Sequence, residues 1–333
     1  MFDIPIVLFT FKRKDTVKRI IERISVVKPK KLYIISDGPR NEEESSIIDD
    51  TRSAIEGFID WDCEIVKNYA ETNQGVYNRI GEGAKWVFSQ EEKAIFLEDD
   101  NLPAVSFFKF CEELLNKYDY DNRILWICGT NYLKEYLTDD DVDYVFTKQM
   151  LPCGWASWSH KFCKYFDGEM ELLSLARVDE RLSLEYFNKR LYRQDLSFFY
   201  KTKYLLKNNK KLSSWDRQMA FSVRIHSMYG IAPVLNQIEN IGADNLSTHG
   251  GTSLEKEMTG RFCGIPTKEI TFPLRHPKVI LRDYEYERKI SNIILLPLKD
   301  RIGIRIMSFL KPLFGLDRDA SFMMYLRSRF GKK

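Results

Sequence analysis

The sequence predicts an α/β fold: a mostly parallel sheet flanked by helices, continued by a mixed α+β half and a helical C-terminal tail. Three observations carry that expectation. Short apolar runs alternate with amphipathic helical stripes through residues 4–131, and polar clusters fall at the carboxyl ends of the runs. After Asp143 the alternation dissolves into an aromatic-rich stretch. Strict strand–helix alternation implies parallel pairing through right-handed crossovers, with ligands outside the carboxyl ends of the strands.

Ile4 to Phe11 forms the first strand, and Asp15 caps a helix whose stripe is Val17, Ile20, Ile21, Ile24 and Val27, stopped by Pro29. Leu32 to Ser36 is a second strand, closing on the turn tripeptide Asp37-Gly38-Pro39. A polar helix over 46–58 leads to a third strand over 63–69. Val76, Ile80, Ala84 and Val87 recur at helical spacing, and Ala94 to Leu97 supplies a fourth strand ending at Glu98-Asp99-Asp100. Pro103 suits the first turn of a helix bearing Phe107, Phe108, Cys111, Leu114 and Leu115. Ile124 to Cys128 is the fifth strand, and the acidic run 139–143 reads as a solvated loop. The chain divides into halves at 1–135 and 136–280, with a tail over 281–333.

Composition narrows the function. With 333 residues, 44% of them hydrophobic and 30% charged, the chain is globular, which excludes disorder. Its 51 basic and 48 acidic residues leave no global footprint for nucleic acid. Six cysteines show no C-x-x-C pair and no zinc spacing, the pattern of reduced thiols in a cytoplasmic protein. The start, Met1-Phe2-Asp3-Ile4-Pro5, does not read as a signal peptide. The longest aliphatic run, Ile293 to Leu296, falls far short of the roughly 20 residues that span a bilayer.

Three carboxylates at one strand end repel one another unless a cation sits there, and hard oxygen ligands of this kind suit Mg²⁺ or Mn²⁺ shared with substrate phosphates. Arg13 follows the first strand, where a guanidinium can pair with phosphate. Asp37 is a turn former or a nucleotide contact. Neither G-x-x-x-x-G-K-[ST] nor G-x-G-x-x-G follows a strand, so P-loop and dinucleotide readings lack support.

In this order, Leu8-Phe9-Thr10-Phe11-Lys12-Arg13, Ile35-Ser36-Asp37-Gly38, Asn73-Gln74-Gly75-Val76, Trp86-Val87-Phe88 and Phe96-Leu97-Glu98-Asp99-Asp100 resemble the GT-A glycosyltransferases. The likeness is to N-acetylglucosaminyltransferase I and to bacterial surface-polysaccharide transferases. It implies a GT-A fold and a nucleotide-diphosphate sugar donor, UDP favoured. Arg13 would contact the diphosphate and Asp37 the base, with Thr10, Gly75 and Arg79 in the same donor set. Asp100 would hold Mn²⁺ or Mg²⁺, with Asp99 near the ribose and Glu98 near the donor hexose. Ser214-Trp215-Asp216 resembles the segment whose carboxylate deprotonates the acceptor hydroxyl, and Ser247-Thr248-His249 the one that closes over the donor, where His249 would be a further metal ligand. The stretch Gly154-Trp155-Ala156-Ser157-Trp158 resembles the acceptor wall, where the Trp155 and Trp158 indoles would stack on sugar; as core filler they would do neither.

From the residues alone, Ser213 or Ser214 can cap a helix with Asp216 in its first turn, where the dipole keeps a carboxylate ionised. Asp216 is then a base or merely a cap. Leu298, Ile302, Ile306, Phe309, Leu310 and Leu313 form a stripe opposite Arg301, Arg305 and Ser308. Residues 288–333 hold 11 basic and 3 acidic residues, net +8, whereas residues 1–287 hold 40 and 45, net −5. A basic amphipathic helix reads either as a helix docked on the domain or as one bound to an anionic membrane surface; the charge asymmetry favours the second, and so a peripheral protein on the inner face of the cell membrane. The expected activity is metal-dependent, inverting transfer of a hexosyl or N-acetylhexosaminyl unit to a lipid-linked glycan in surface-polysaccharide synthesis. One rival is a sugar-phosphate nucleotidyltransferase, which would want a glycine-rich loop where Thr10-Phe11-Lys12-Arg13 has none. The other is a non-catalytic sugar-binding or membrane scaffold.

Overall fold

The computed structural model describes residues 2–212, 214–243 and 253–316. Apolar runs buried on both faces build the central strands β1 (Ile6–Thr10), β2 (Lys31–Ser36), β4 (Lys93–Glu98) and β6 (Ile124–Cys128), while the half-exposed β3 (Glu64–Tyr69) forms an edge and a short β5 (Asn101–Pro103) follows β4. β7 (Tyr144–Thr147), β8 (Trp155–Trp158), β9 (Tyr229–Pro233) and β10 (Ile238–Asn240) follow. Eight of them form one sheet in the order β3-β2-β1-β4-β8-β6-β9-β7, while β5 and β10 pair apart from it. β3, β2, β1 and β4 are mutually parallel, as is β6 with β9. β8 runs antiparallel between β4 and β6, and β7 antiparallel beside β9. The sheet is therefore mostly parallel and flanked by helices, and it draws strands from both sides of residue 135.

The helices are amphipathic covers. α1 (Lys14–Val27) buries Val17, Ile20, Ile21 and Ile24, the expected stripe. Its cap position is Arg13, not Asp15, which sits in the first turn. α2 (Glu42–Gly57) starts earlier than expected because Asn41 caps it, accepting from the Glu44 N–H. A π-helical turn (Asn78–Glu82) leads into α3 (Gly83–Phe88). α4 (Ser106–Lys117) begins after Pro103, correcting the expected start. Pro103 closes β5, which pairs with β10, and the Glu269 carboxylate accepts from Val105 N–H and Ser106 N–H. α5 (Ser159–Tyr165), α6 (Val178–Leu184), α7 (Lys189–Lys207), α8 (Asp216–Ile225), α9 (Glu257–Phe262), α10 (Tyr284–Ile294) and α11 (Leu298–Leu313) complete the order.

Two apolar layers pack on opposite faces of the sheet, one around Ile20, Phe108 and Leu114, the other around Tyr77, Trp126 and Trp155. Each buried Ile, Leu or Phe contributes about 1.5–3 kcal/mol. The acidic run is not uniformly solvated: Asp143 is buried and takes Arg275 in paired hydrogen bonds of 3.1 and 2.6 Å. The tail is not uniform either, since α10 buries Tyr286 and Ile290 whereas α11 buries nothing. No helix among the described residues is long and apolar enough to cross a membrane.

Candidate functional site

β1 and β4 are adjacent and in register from Ile6–Ile95 to Phe9–Glu98, so the segments leaving their carboxyl ends meet. Arg13 Nη1 donates to Asp99 Oδ1 at 3.0 Å and to Asp100 Oδ2 at 3.1 Å, while Nη2 donates to the Gly242 carbonyl at 3.4 Å. Phe11 N–H donates to the other Asp99 oxygen at 2.9 Å, and Asn101 Nδ2 to Asp100 Oδ1 at 2.6 Å. Asn101 Oδ1 accepts from Glu98 N–H and Gly154 N–H, which fixes the turn that carries the carboxylates.

One guanidinium serves this cluster poorly. Burial, and then the Asp99 charge, push the Asp100 carboxyl up to about 6 despite Arg13. Glu98 is also raised, by burial first and then by Asp100 and Asp99; its Oε1 accepts from Trp215 Nε1 at 3.4 Å. Among the described residues no three His, Cys, Asp or Glu side chains gather in metal-ligating geometry. Asp99 and Asp100 still converge on a single cation with hard oxygen donors. That set fits a Mg²⁺ or Mn²⁺ ion that keeps waters and phosphate oxygens as its remaining ligands. His249 lies outside the described residues.

The β2 end is built differently. Asp37 Oδ1 accepts from Gly38 N–H and Gln74 N–H, both at 2.9 Å. Its Oδ2 accepts from Asn73 Nδ2 at 2.8 Å and Gly75 N–H at 3.0 Å. A carboxylate has about four acceptor sites, and all are used, so the expected direct contact between Asp37 and a base has no lone pair left to make it. Gly75 has φ +88°, which lets consecutive amides aim at one side chain. Gly38 admits no side chain, because a Cβ would lie 2.4 Å from the Thr72 backbone. Arg79 is buried, and its guanidinium donates to Ser36 O at 3.1 Å and Asn68 O at 2.7 Å. Thr10 is buried beside them, and its hydroxyl has no hydrogen-bond partner among the described residues.

Asp216 is the first residue of α8, behind Trp215 and without a side-chain cap from Ser214; Ser213 lies outside the described residues. Its charge reaches Glu98, which puts it beside the acidic cluster. Trp155 and Trp158, expected in the acceptor wall, are core residues instead. They are 1% and 0% exposed; Trp155 stacks on Phe96 at 3.9 Å, and Trp158 Nε1 donates to Leu115 O at 2.8 Å. Lying on β8 in mid-sheet, neither presents a face to a sugar.

Sequence reasoning missed Arg52, which donates to Ser36 Oγ and to the Asp37 and Ala70 carbonyls, and Asn101, which shapes the acidic turn. Asn101 follows the acidic triplet directly, a signal that could have been read. Arg52 sits mid-helix in α2 with none.

No family model matches the chain, and no curated protein matches it. Solved structures are similar to it only distantly. S. aureus TarS 1-349 aligns over 99% of this chain and 75% of that one, at 12% identity and a TM-score of 0.37. A UDP-glucose pyrophosphorylase complexed with UDP-glucose aligns over 72% and 93%, at 13% identity and a TM-score of 0.37. The mannosyltransferase PcManGT from Pyrobaculum calidifontis, in complex with GDP-Man and Mn²⁺, aligns over 67% and 68%, at 8% identity and a TM-score of 0.35. Likeness at this level carries no functional weight; the geometry of the site must.

Proposed function

We propose that the chain is a metal-dependent GT-A glycosyltransferase that moves a hexosyl or N-acetylhexosaminyl unit from a nucleotide-diphosphate sugar, UDP favoured, to a glycan hydroxyl. The observation that supports this reading best is Arg13 shared between Asp99 and Asp100 at the ends of β1 and β4. Two carboxylates and a guanidinium in one place are what a diphosphate bound with a divalent cation requires.

Asp100 would hold the cation, which supplies neutralising charge at the leaving diphosphate, with Asp99 beside it toward the ribose. Arg13, which reaches both Asp99 and Asp100 from the β1 end, would contact the phosphate oxygens of the donor. Asp37 and Arg79 act as positioning residues: they shape the loop 73–75, with Gly75 and Thr10, that receives the nucleoside. Glu98, held by Trp215, faces the donor hexose. Asp216 takes the acceptor hydroxyl proton as the new C–O bond forms and the bond to the diphosphate breaks, giving inversion. The acceptor is a glycan carried on a lipid, and the basic tail holds the protein at the inner face of the cell membrane.

Thermal shift with a panel of nucleotide sugars, with and without Mn²⁺, tests the reading. A donor should raise the midpoint only with metal, and Asp100→Ala should abolish that rise. A metal-dependent rise that survives in the variant overturns the assignment. Release of pyrophosphate from a nucleoside triphosphate and a sugar phosphate would make the chain a nucleotidyltransferase instead.

A further inference from the structure

α11 leaves most of an apolar stripe uncovered, although Leu298 and Ile302 also line the space between it and α7. It rests on α7, yet Leu298, Ile302, Ile306, Phe309 and Leu313 are 50% to 72% exposed. A helix packed on a soluble domain turns such a stripe inward. A contiguous apolar surface left outward marks a binding face.

Between α7 and α11 lies a cavity of about 820 Å³. Arg190 and Arg193 of α7 line it together with Arg301 and Arg305 of α11, above apolar walls that include Leu196 and Ile304. Asp179 is the one carboxylate among its described lining residues, and none of the four arginines enters an ion pair within the described residues. The buried Arg301 Nε has no hydrogen-bond partner among the described residues. Guanidinium groups over an apolar wall match a phosphodiester joined to hydrocarbon chains.

We infer that this cavity is a headgroup site for an anionic phospholipid of the membrane on which the α11 stripe lies. The inference rests on the proposed membrane attachment and deepens it, because it assigns recognition to α7, outside the basic tail. The stripe from Leu298 to Leu313 runs about 22 Å along the helix axis, which suits a helix lying in the interfacial plane. The stripe enters the acyl boundary, and the cavity beside it takes the phosphate.

Sedimentation of the full chain with phosphatidylcholine vesicles, with and without phosphatidylglycerol, tests this. The wild type should bind only the anionic vesicles, and I306Q/F309Q should lose that binding. R190Q/R193Q should bind roughly thirtyfold more weakly, the scale of two cations at an anionic surface. K207Q/K210Q removes the same charge from exposed positions outside the cavity and should lose several-fold at most. Equal losses in the two charge pairs would overturn the headgroup site and leave membrane attachment standing. Failure of the wild type to bind anionic vesicles would overturn both. Inorganic phosphate at millimolar concentration should not release the protein; release would make the ligand free phosphate, not lipid. Unchanged thermal midpoints in all three variants show that each is folded.

Discussion

Two carboxylate sites stand at neighbouring strand ends of one sheet, and they are satisfied in opposite ways. At the β2 end, Asp37 meets four donors from its own loops and has no capacity left. At the β4 end, three consecutive carboxylates crowd together, and Asp99 and Asp100 share one arginine. A saturated carboxylate holds architecture. One crowded by like charges, with its carboxyl pushed up as at Asp100, suits the cation proposed above.

Substitutions at the two ends should therefore move stability in opposite directions. The largest effect is expected for Asp37→Ala, which orphans two backbone amides of the 73–75 loop, the Gly38 amide and the Asn73 side chain. It should cost about 3 kcal/mol or more, read as a lower denaturation midpoint at unchanged slope. A loss below about 1 kcal/mol would break the comparison. Asp100→Asn should instead gain on the order of 1 kcal/mol by relieving the crowding, while losing metal-dependent donor binding. Destabilisation there would mean that Arg13 already compensates the cluster.

A buried charge remote from both ends gives the smallest effect and sharpens the scale. Lys161 is fully buried over the Trp158 ring, and its amine donates to the Tyr118 and Asp121 carbonyls. Burial lowers its pKa to about 8 from 10.5. Between those values the unfolded chain binds more protons, so this group's contribution to stability rises with pH. The free-energy difference between wild type and Lys161→Met should therefore grow in favour of wild type from pH 8 to 10.5. A flat difference would show that the amine titrates as if in water.

β1, β2, β4 and β6 were legible because strands buried on both faces write continuous apolar runs, and α1 because its stripe repeats at helical spacing. The acidic triplet was legible as a cluster because it closes an apolar strand in an α/β run, where like charges repel unless a cation joins them. The satisfaction of Asp37 was not, because its donors are mainly backbone amides, which every sequence has. Trp155 and Trp158 misled for a related reason: an indole suited to stack on sugar is equally suited to stack on Phe96. That β8 enters between β4 and β6 is a matter of strand order, which local periodicity does not record. The three-residue β5 and β10 are too short to show any period.

That insertion also sets a timetable for synthesis. When the ribosome has finished β6 at residue 128, neither of its sheet neighbours exists; β8 is complete only at residue 158 and β9 at residue 233. Until then β6 carries two unpaired edges and a fully apolar surface, the condition in which nascent chains aggregate. The half that carries Arg13, Asp99 and Asp100 cannot close its sheet until most of the other half has left the exit tunnel, so the two mature as one cooperative unit.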